Sequence, residues 1–454
     1  MSSLIVSVSG IRGIVGESLT PAVALAFAES LGTWLGSDKT VALSRDNRPS
    51  GTMLGAAAAA GLLSAGCKVL DLGIVPTPTV GVIIREMKLA GGIQISASHN
   101  PAPWNGLKLF GSDGAVLAPT EGARIVDLYQ RKAAVRTSQY ASTDWQQAPP
   151  ANETSSAIQI HARLASTVAN VEALRRKGFR VFVDANGGAG GPLAQLFLQM
   201  NLSCMVEGIG LHPSDTFPHT PEPTEENLKT IAHLVAEKRC AVGFALDPDA
   251  DRLALIDEHG RYIGEELTLA LSLEYVLRQR KGPVVVNMST SRINEDIANK
   301  HGCKFFRSAV GEANVVARMR EVHALIGGEG NGGVIDPRVG WVRDPYIGMA
   351  LVLSLLAEEN KPLSAIVDSL PKYAIQKDKY TLSPDRLPAL YDLMVKQHPE
   401  AIANREDGLR LDWPDRWVHV RPSNTEPIVR VIAEAPNGIG AKALCEAVGS
   451  MIHN

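Results

Sequence analysis

The sequence predicts an α/β protein of three related domains followed by a smaller α+β domain. Three observations carry this: a unit that occurs three times, a change of texture near residue 373, and enough apolar sequence for several cores. Each unit runs strand, polar or glycine-containing turn, helix, small-residue stop, cysteine and second strand. The first strands and turns read VALSR (Val41–Arg45), VFVDANGG (Val181–Gly188) and VVVNMSTS (Val284–Ser291). The second strands read KVLDLG, MVEG and KFFRS. A β–turn–helix–β unit used three times is the mark of related α/β domains. The Gly or Asn ahead of Cys67, Cys204 and Cys303 is the expected stop of each helix. At 454 residues, 45% of them hydrophobic, the chain can bury several cores.

The expected domains are 1–150, 151–257, 258–370 and 371–454. Residues 134–156 lack apolar periodicity and read as a loop or linker. The run AVGFALDPDADRLALIDEHG reads strand–loop–strand, and a boundary follows it. The next boundary falls near Leu370–Ala374. Beyond it, RLDWPDRWVHVRPSNTEPIVRVIAEA alternates like a hairpin, and a final helix is expected from about Ala441.

Composition excludes several functions. A net charge of −3 argues against a general polyanion binder, and 5% aromatic residues against a stacking platform for single-stranded nucleic acid. The five cysteines are odd in number and include no C-x-x-C pair, so a disulfide framework or thiolate zinc site is not expected. No apolar run reaches 18 residues and the N-terminal segment lacks a basic stretch, so a cytoplasmic protein without membrane or nucleic-acid partners is expected. There is no G-x-S-x-G elbow, no Walker A sequence, no H-E-x-x-H and no Arg-His-Gly.

Four loops carry chemistry. In Gly91–Gly111, a strand runs into Ser96-Ala97-Ser98-His99-Asn100-Pro101. Pro101 forces the chain out of a ladder, so Ser98 sits at a strand end, where its hydroxyl could relay a phosphoryl group; an ordinary serine-capped turn is the alternative. Asp247, Asp249 and Asp251 stand at i, i+2 and i+4, a spacing that lets three carboxylates converge on one hard cation. Arg252 occupies the place of an EF-hand glycine and a strand follows, so the EF-hand reading fails; an acidic turn remains. The glycine-rich stretch Gly327–Gly333 is not followed by a helix, so it is no dinucleotide fingerprint. It either brings Glu329 and Asn331 to sugar hydroxyls or is a flexible turn. Arg421, Ser423, Asn424 and Thr425, with Arg430 beyond, form either a phosphate cradle or a hairpin turn.

Taken together and in this order, the motifs SASHNP, DPDADR, GGEGNGG and RPSNTEP resemble those of the α-D-phosphohexomutase family across essentially the whole chain. SGIRG, RDNRPSG, NGLK and DANGGAG add to the likeness. The resemblance implies four domains around a central cleft and a phosphoserine at Ser98. It implies Mg²⁺ held by Asp247, Asp249, Asp251 and a phosphate oxygen on Ser98. It further implies interconversion of hexose 6- and 1-phosphates through a hexose 1,6-bisphosphate. Arg12 and Lys108 are then the acid/base and charge-stabilising residues, and His99 a catalytic-loop residue that shapes the loop. Arg252 offsets charge or contacts substrate, and Arg421, Ser423, Asn424, Thr425 and Arg430 hold phosphate. Many bacterial members read G-E-x-S-G-H in the sugar loop; here Asn331 and Gly333 replace the Ser and His. With NMSTSR at Asn287–Arg292, the variant most resembles phosphoglucosamine mutases, so glucosamine phosphate ranks first and glucose or mannose phosphate second. A phosphoserine-forming phosphatase and a non-catalytic sugar-phosphate binder are the rivals. Partners are expected to be sugar phosphates, in a monomer or homodimer.

Overall fold

The computed structural model describes residues 4–7, 9–133, 145–147, 152–422 and 428–453. Four sheets follow one another along the chain. The first has seven strands in the order Ile5–Ser7, Gly10–Ile14, Trp104–Phe110, Gly91–Ile95, Thr40–Arg45, Lys68–Ile74 and Trp145–Gln147. The second has five: Tyr262–Gly264, Leu253–Asp257, Val242–Leu246, Arg180–Asp184 and Met205–Ile209. The third has four: Phe305–Ser308, Val284–Asn287, Ile326–Glu329 and Gly333–Ile335. The fourth is antiparallel, with Ala374–Thr381, Ile428–Ala435, Trp417–Pro422, Leu409–Asp412 and Ile402–Asn404.

The first three sheets share one topology. A central strand pairs in parallel with the next strand on one side and with a third strand on the other. A fourth strand then returns antiparallel beside the third. The repeated unit therefore extends one hairpin beyond the strand–helix–strand pattern visible in the sequence. That hairpin is where the serine loop, the acidic loop and the glycine-rich loop lie. All three leave the C-terminal end of a parallel strand, the end at which open α/β sheets place ligands.

The central strands carry apolar runs because both faces are covered: Val284, Val285 and Val286 are fully buried, as are Val181 and Val183. The helices of the three units are Gly51–Ser64, Gly191–Leu196 with a π-turn at Phe197–Asn201, and Ile293–Lys300. Gly66 and Gly302 end the first and third in left-handed backbone, φ 84° and 65°. In the second copy the left-handed residue is Ser203, φ 59°, and not Asn201, which the π-turn absorbs. The glycine-rich stretch is also more regular than a loop. Gly327, Gly328 and Glu329 end a strand, because a side chain at Gly327 would meet Met319 Sδ and Val285 O at 2.6 Å. Only residues 330–332 form the turn.

The expected linker over 134–156 is corrected in part. Trp145–Gln147 adds a parallel edge strand beside Lys68–Ile74, and a helix starts at Asn152. A short edge strand needs no apolar alternation, so no sequence pattern marks this one; residues 134–144 and 148–151 of the expected linker lie outside the described residues. The final helix spans Gly438–His453 and packs with Leu387–Gln397 on one face of the fourth sheet. Among the described residues, no helix is long and apolar enough to cross a membrane.

The second and third units share a continuous core built around the helix Pro345–Glu359. Asp344 caps this helix, accepting hydrogen bonds from the N–H groups of Tyr346 (2.9 Å) and Ile347 (3.4 Å). Its other oxygen lies 2.7 Å from His161 Nε2, and His161 Nδ1 lies 2.9 Å from Thr79 Oγ1. This fully buried chain of polar groups ties the first unit to the third.

Replacing His161 by Ala leaves the buried Asp344 Oδ2 without its hydrogen-bond partner, at a cost of about 1–3 kcal/mol. A clear fall in the calorimetric unfolding midpoint is expected, with a smaller fall for Asp344→Asn, which still caps the helix. An unchanged midpoint for His161→Ala would show that the link carries no stability.

Candidate active site

The serine loop is built around a buried arginine that sequence reasoning did not assign a role. Arg48 Nη2 donates to the carbonyls of Ser98 and Asn100, both at 2.7 Å, and Nη1 to those of Pro101 (2.9 Å) and Trp104 (3.1 Å). Asp46 pairs with Arg48 Nε at 3.1 Å and accepts from Ser96 Oγ at 2.6 Å. Ser96 Oγ in turn accepts from the Ser98 N–H at 2.8 Å. Ser98 is held at φ 52°, left-handed backbone that costs an L-residue roughly 1–2 kcal/mol. The clamp supplies that energy and turns the hydroxyl inward. RDNRPSG was a visible motif, but its contacts span some 50 residues of chain and no local pattern announces them.

Ser98 Oγ donates to Asp247 Oδ2 at 2.9 Å and lies 3.2 Å from His99 Nδ1. Arg252 Nη2 approaches His99 Nε2 at 3.4 Å. A guanidinium can only donate, so Nε2 accepts and the proton sits on Nδ1, aimed at Ser98. Burial, reinforced by Arg252 and Arg12, pushes the imidazole down to about 2, so it stays neutral. His99 therefore orients the serine hydroxyl.

The three aspartates of the acidic loop are fully buried, and one oxygen from each lies within 4.8 Å of the others. Charges at that spacing repel by about 3–4 kcal/mol per pair at an effective dielectric of about 20. Lys108 Nζ meets Asp251 Oδ2 at 2.8 Å and Asp249 Oδ2 at 3.4 Å. Arg343, another residue the sequence did not flag, donates to Asp251 Oδ2 at 2.6 Å. Thr77 Oγ1 donates to Asp249 Oδ2 at 2.6 Å. Burial opposes the charge on Lys108, but Asp251 and Asp249 more than reverse this and hold the ammonium above its ordinary value. Burial raises Asp247, and Asp249 and Asp251 raise it further. For Asp251 burial acts the same way, yet Arg343 and Lys108 prevail and hold it below the carboxylate range.

Asp249 Oδ1 and Asp251 Oδ1 are buried without a hydrogen-bond partner. Two orphaned carboxylate oxygens in a cluster of three buried aspartates, one of them bonded to Ser98 Oγ, are what a hard divalent cation requires, so these residues fit a metal site.

The remaining sequence candidates are distributed around this centre. Arg12 Nη1 donates to Asn100 Oδ1 at 2.9 Å, and its charge is felt by Asp249 and Asp251. Arg252 pairs with Glu222 at 3.2 Å and approaches Glu265 at 3.8 Å. Glu329 is buried and engaged within the protein: Oε1 accepts from Asn287 Nδ2 (2.7 Å) and Gly311 N–H (3.1 Å), and Oε2 from Arg343 Nη1 (3.1 Å). Asn331 Oδ1 accepts from the Gly333 N–H at 3.3 Å, closing the turn. Arg421 and Arg430 stand directly opposite each other on adjacent strands. Like charges so placed repel unless an anion joins them. Arg421 pairs with Asp407 at 3.1 Å, and Asp407 accepts from the Val310 N–H at 2.9 Å, beside Gly311. Ser423, Asn424 and Thr425 lie outside the described residues.

A cavity of about 560 Å³ lined by Lys177, Arg180, Arg239 and Leu363 lies elsewhere, at the start of the parallel strands Arg180–Asp184 and Val242–Leu246. The acidic loop leaves the other end of those strands.

Four family models match the chain in order. Phosphoglucomutase/phosphomannomutase alpha/beta/alpha domain I covers residues 4–136, domain II 161–260, domain III 265–373, and the C-terminal domain 384–449. The phosphoglucomutase/phosphomannomutase of Thermococcus kodakarensis is 35% identical, over 96% of this chain and 96% of its own. The phosphoglucosamine/phosphogalactosamine mutase of Sulfurisphaera tokodaii is 31% identical, over 94% of each chain. The crystal structure of a phosphoglucomutase/phosphomannomutase family protein from Burkholderia thailandensis superposes with a TM-score of 0.83 at 26% identity, covering 98% of this chain and 96% of that one. With matching models in sequence along its length and relatives of this identity over nearly its whole extent, the chain belongs to the phosphoglucomutase/phosphomannomutase family.

Proposed function

We propose that this protein interconverts hexose 6-phosphates and hexose 1-phosphates, with Ser98 as the phosphoryl carrier. The observation that carries the reading is the meeting of Ser98 Oγ with three buried carboxylates and Lys108, groups drawn from two different sheets. Asp247, Asp249, Asp251 and an oxygen on Ser98 would hold the metal, best suited to Mg²⁺. Such an ion, when bound, offsets the gathered negative charge and polarises the phosphoryl group.

In the first transfer the bond between phosphorus and Ser98 Oγ breaks as one forms to the free hydroxyl of the bound monophosphate. That hydroxyl loses its proton and Ser98 Oγ regains one. The resulting hexose 1,6-bisphosphate turns over within the cleft, and its other phosphoryl group returns to Ser98. A bisphosphate from solution charges Ser98 at the outset. Lys108 and Arg12 remain cationic, so their part is to neutralise the phosphoryl oxygens. Arg421 and Arg430 grip the phosphate that does not react, with Ser423, Asn424 and Thr425 completing the cradle. Glu329 and Asn331 shape the turn that faces the sugar, and Arg252 lines the mouth of the site.

Glucosamine phosphate is the first choice of sugar and glucose or mannose phosphate the second, in keeping with the sugar-loop sequence and the names of both kinds of relative. Five buried, unpaired cysteines suit a reducing compartment such as the cytoplasm.

Ser98→Ala is expected to abolish isomer formation while circular dichroism and unfolding midpoint stay close to wild type. Peptide mass analysis should find phosphate on Ser98 of the wild type, and substantial mutase turnover in the variant would overturn the carrier assignment. Asp249→Asn should weaken divalent-cation binding and be partly rescued by excess Mg²⁺; a wild-type rate indifferent to chelation would exclude the metal. Arg421→Ala removes a charge-assisted hydrogen bond worth about 1.5–3 kcal/mol, so kcat/KM should fall roughly 10- to 100-fold for every hexose phosphate alike. Unequal losses among the sugars would place Arg421 at the sugar rather than the phosphate.

A further inference from the structure

Arg343 stands between the return strand Gly333–Ile335 and the helix Pro345–Glu359. Its side chain is 11% exposed and faces three carboxylates from three segments. Nη2 donates to Asp251 Oδ2 at 2.6 Å, Nη1 to Glu329 Oε2 at 3.1 Å, and Nε lies 3.5 Å from Glu312 Oε2. The backbone N–H of Arg343 donates to Glu312 Oε1 at 2.7 Å, which fixes the base of the side chain. Asp251 belongs to the acidic loop and Glu329 to the glycine-rich hairpin. Among the described residues, Arg343 is the one side chain that hydrogen-bonds to both.

Its aliphatic stem is equally committed. A side chain on Gly333 would place its Cβ 2.4 Å from Arg343 Cδ, 2.6 Å from Cγ and 2.7 Å from Cβ. The stem thus fills the space that a residue at 333 would otherwise use, and the glycine there is matched to the arginine. The hairpin gives up its own side chain, and a fixed cation reaches in from the neighbouring segment.

We propose that Arg343 is a specificity-determining positioning residue, which sets the geometry of the sugar-facing hairpin from the acidic loop by bridging Glu329 and Asp251. The proposal rests on the hexose phosphate reading above. A planar guanidinium holds two carboxylates in a fixed mutual orientation, which a lysine, a single point charge, does not. Without Arg343, Glu329 Oε1 keeps Asn287 and Gly311, but Oε2 is left with only the long contact from Asn331 Nδ2, 3.5 Å, inside its own turn. Asp251 keeps Lys108. The cation beside Asp251 also opposes a metal ion on the same carboxylate. Its removal therefore relaxes sugar choice while it tightens metal binding, two changes of opposite sign that simple structural damage does not produce together.

The test uses the full-length protein and the variants Arg343→Met, Arg343→Lys and Gly333→Ala. Mn²⁺ binding is measured without substrate by electron paramagnetic resonance, and kcat/KM is measured for the 6-phosphates of glucosamine, glucose and mannose. Arg343→Met should bind Mn²⁺ about three- to tenfold more tightly, and the ratio of kcat/KM between the best and second sugar should fall about fivefold. Arg343→Lys should restore the Mn²⁺ affinity but not the ratio. Gly333→Ala displaces the stem while keeping the charge, so it should lower the ratio with little change in Mn²⁺ affinity, and it decides the matter if Arg343→Met does not fold. An unchanged sugar ratio in the variants of an active enzyme, or Mn²⁺ binding that weakens in Arg343→Met, would overturn the proposal. A wild type that isomerises no hexose phosphate would instead defeat the functional reading, and the Mn²⁺ measurement would then judge Arg343 alone.

Discussion

Three aspartates buried at one point are the constraint on which the rest of this site depends. Carboxylates leave water at high cost, and close neighbours of like charge raise that cost. The acidic loop meets it only in part, through the N–H groups of Asp251 and Arg252 on Asp247 Oδ1. Thr77 and Lys108 come from the first sheet's unit, and Arg343 from beside the third. Charge compensation is thus also the contact that holds the three units in register around the cleft. The two carboxylate oxygens left without a partner mark where this compensation is incomplete, and where a cation would fit.

The repeated topology explains why the loops can meet at all. In each unit the third parallel strand turns back into an antiparallel partner, and the functional loop is that turn. Equivalent positions on three related sheets face a common centre when the units are arranged about it, so a serine, an acidic triad and a glycine-rich turn arrive together. The shared core around Pro345–Glu359 fixes the second and third units, and the Thr79–His161–Asp344 chain brings the first to them.

Rigidity is unevenly distributed. Arg48 spends its donors on four loop carbonyls, so Ser98 is presented in a backbone conformation that few residues other than glycine adopt. The fourth sheet is attached differently. Its face away from the two helices meets the third unit through polar contacts: Arg410 with Met288 O, His419 with Ser289, Asp407 with the Val310 N–H, and Arg292 with Glu434 and Trp413 O. Such contacts are more readily broken than a hydrophobic core, and relative motion is the ordinary expectation for a domain attached in that way.

The sequence by itself determined the fold class, the three strand–helix–strand units and the four motifs, because apolar period, helix stops and closely spaced carboxylates are local properties. It identified Ser98, the three aspartates, Lys108 and Arg12 as candidates, and the structure places all of them about one centre. It did not reach the edge strand at Trp145–Gln147, the left-handed stop at Ser203, or the strand ending at Glu329, each of which depends on a neighbour distant in sequence. Nor did it reach Arg48 or Arg343. A buried arginine looks like any other in a sequence. What distinguishes these two is which carbonyls and carboxylates surround them, and contacts made across 50 to 92 positions of chain exist only once the sheets have come together.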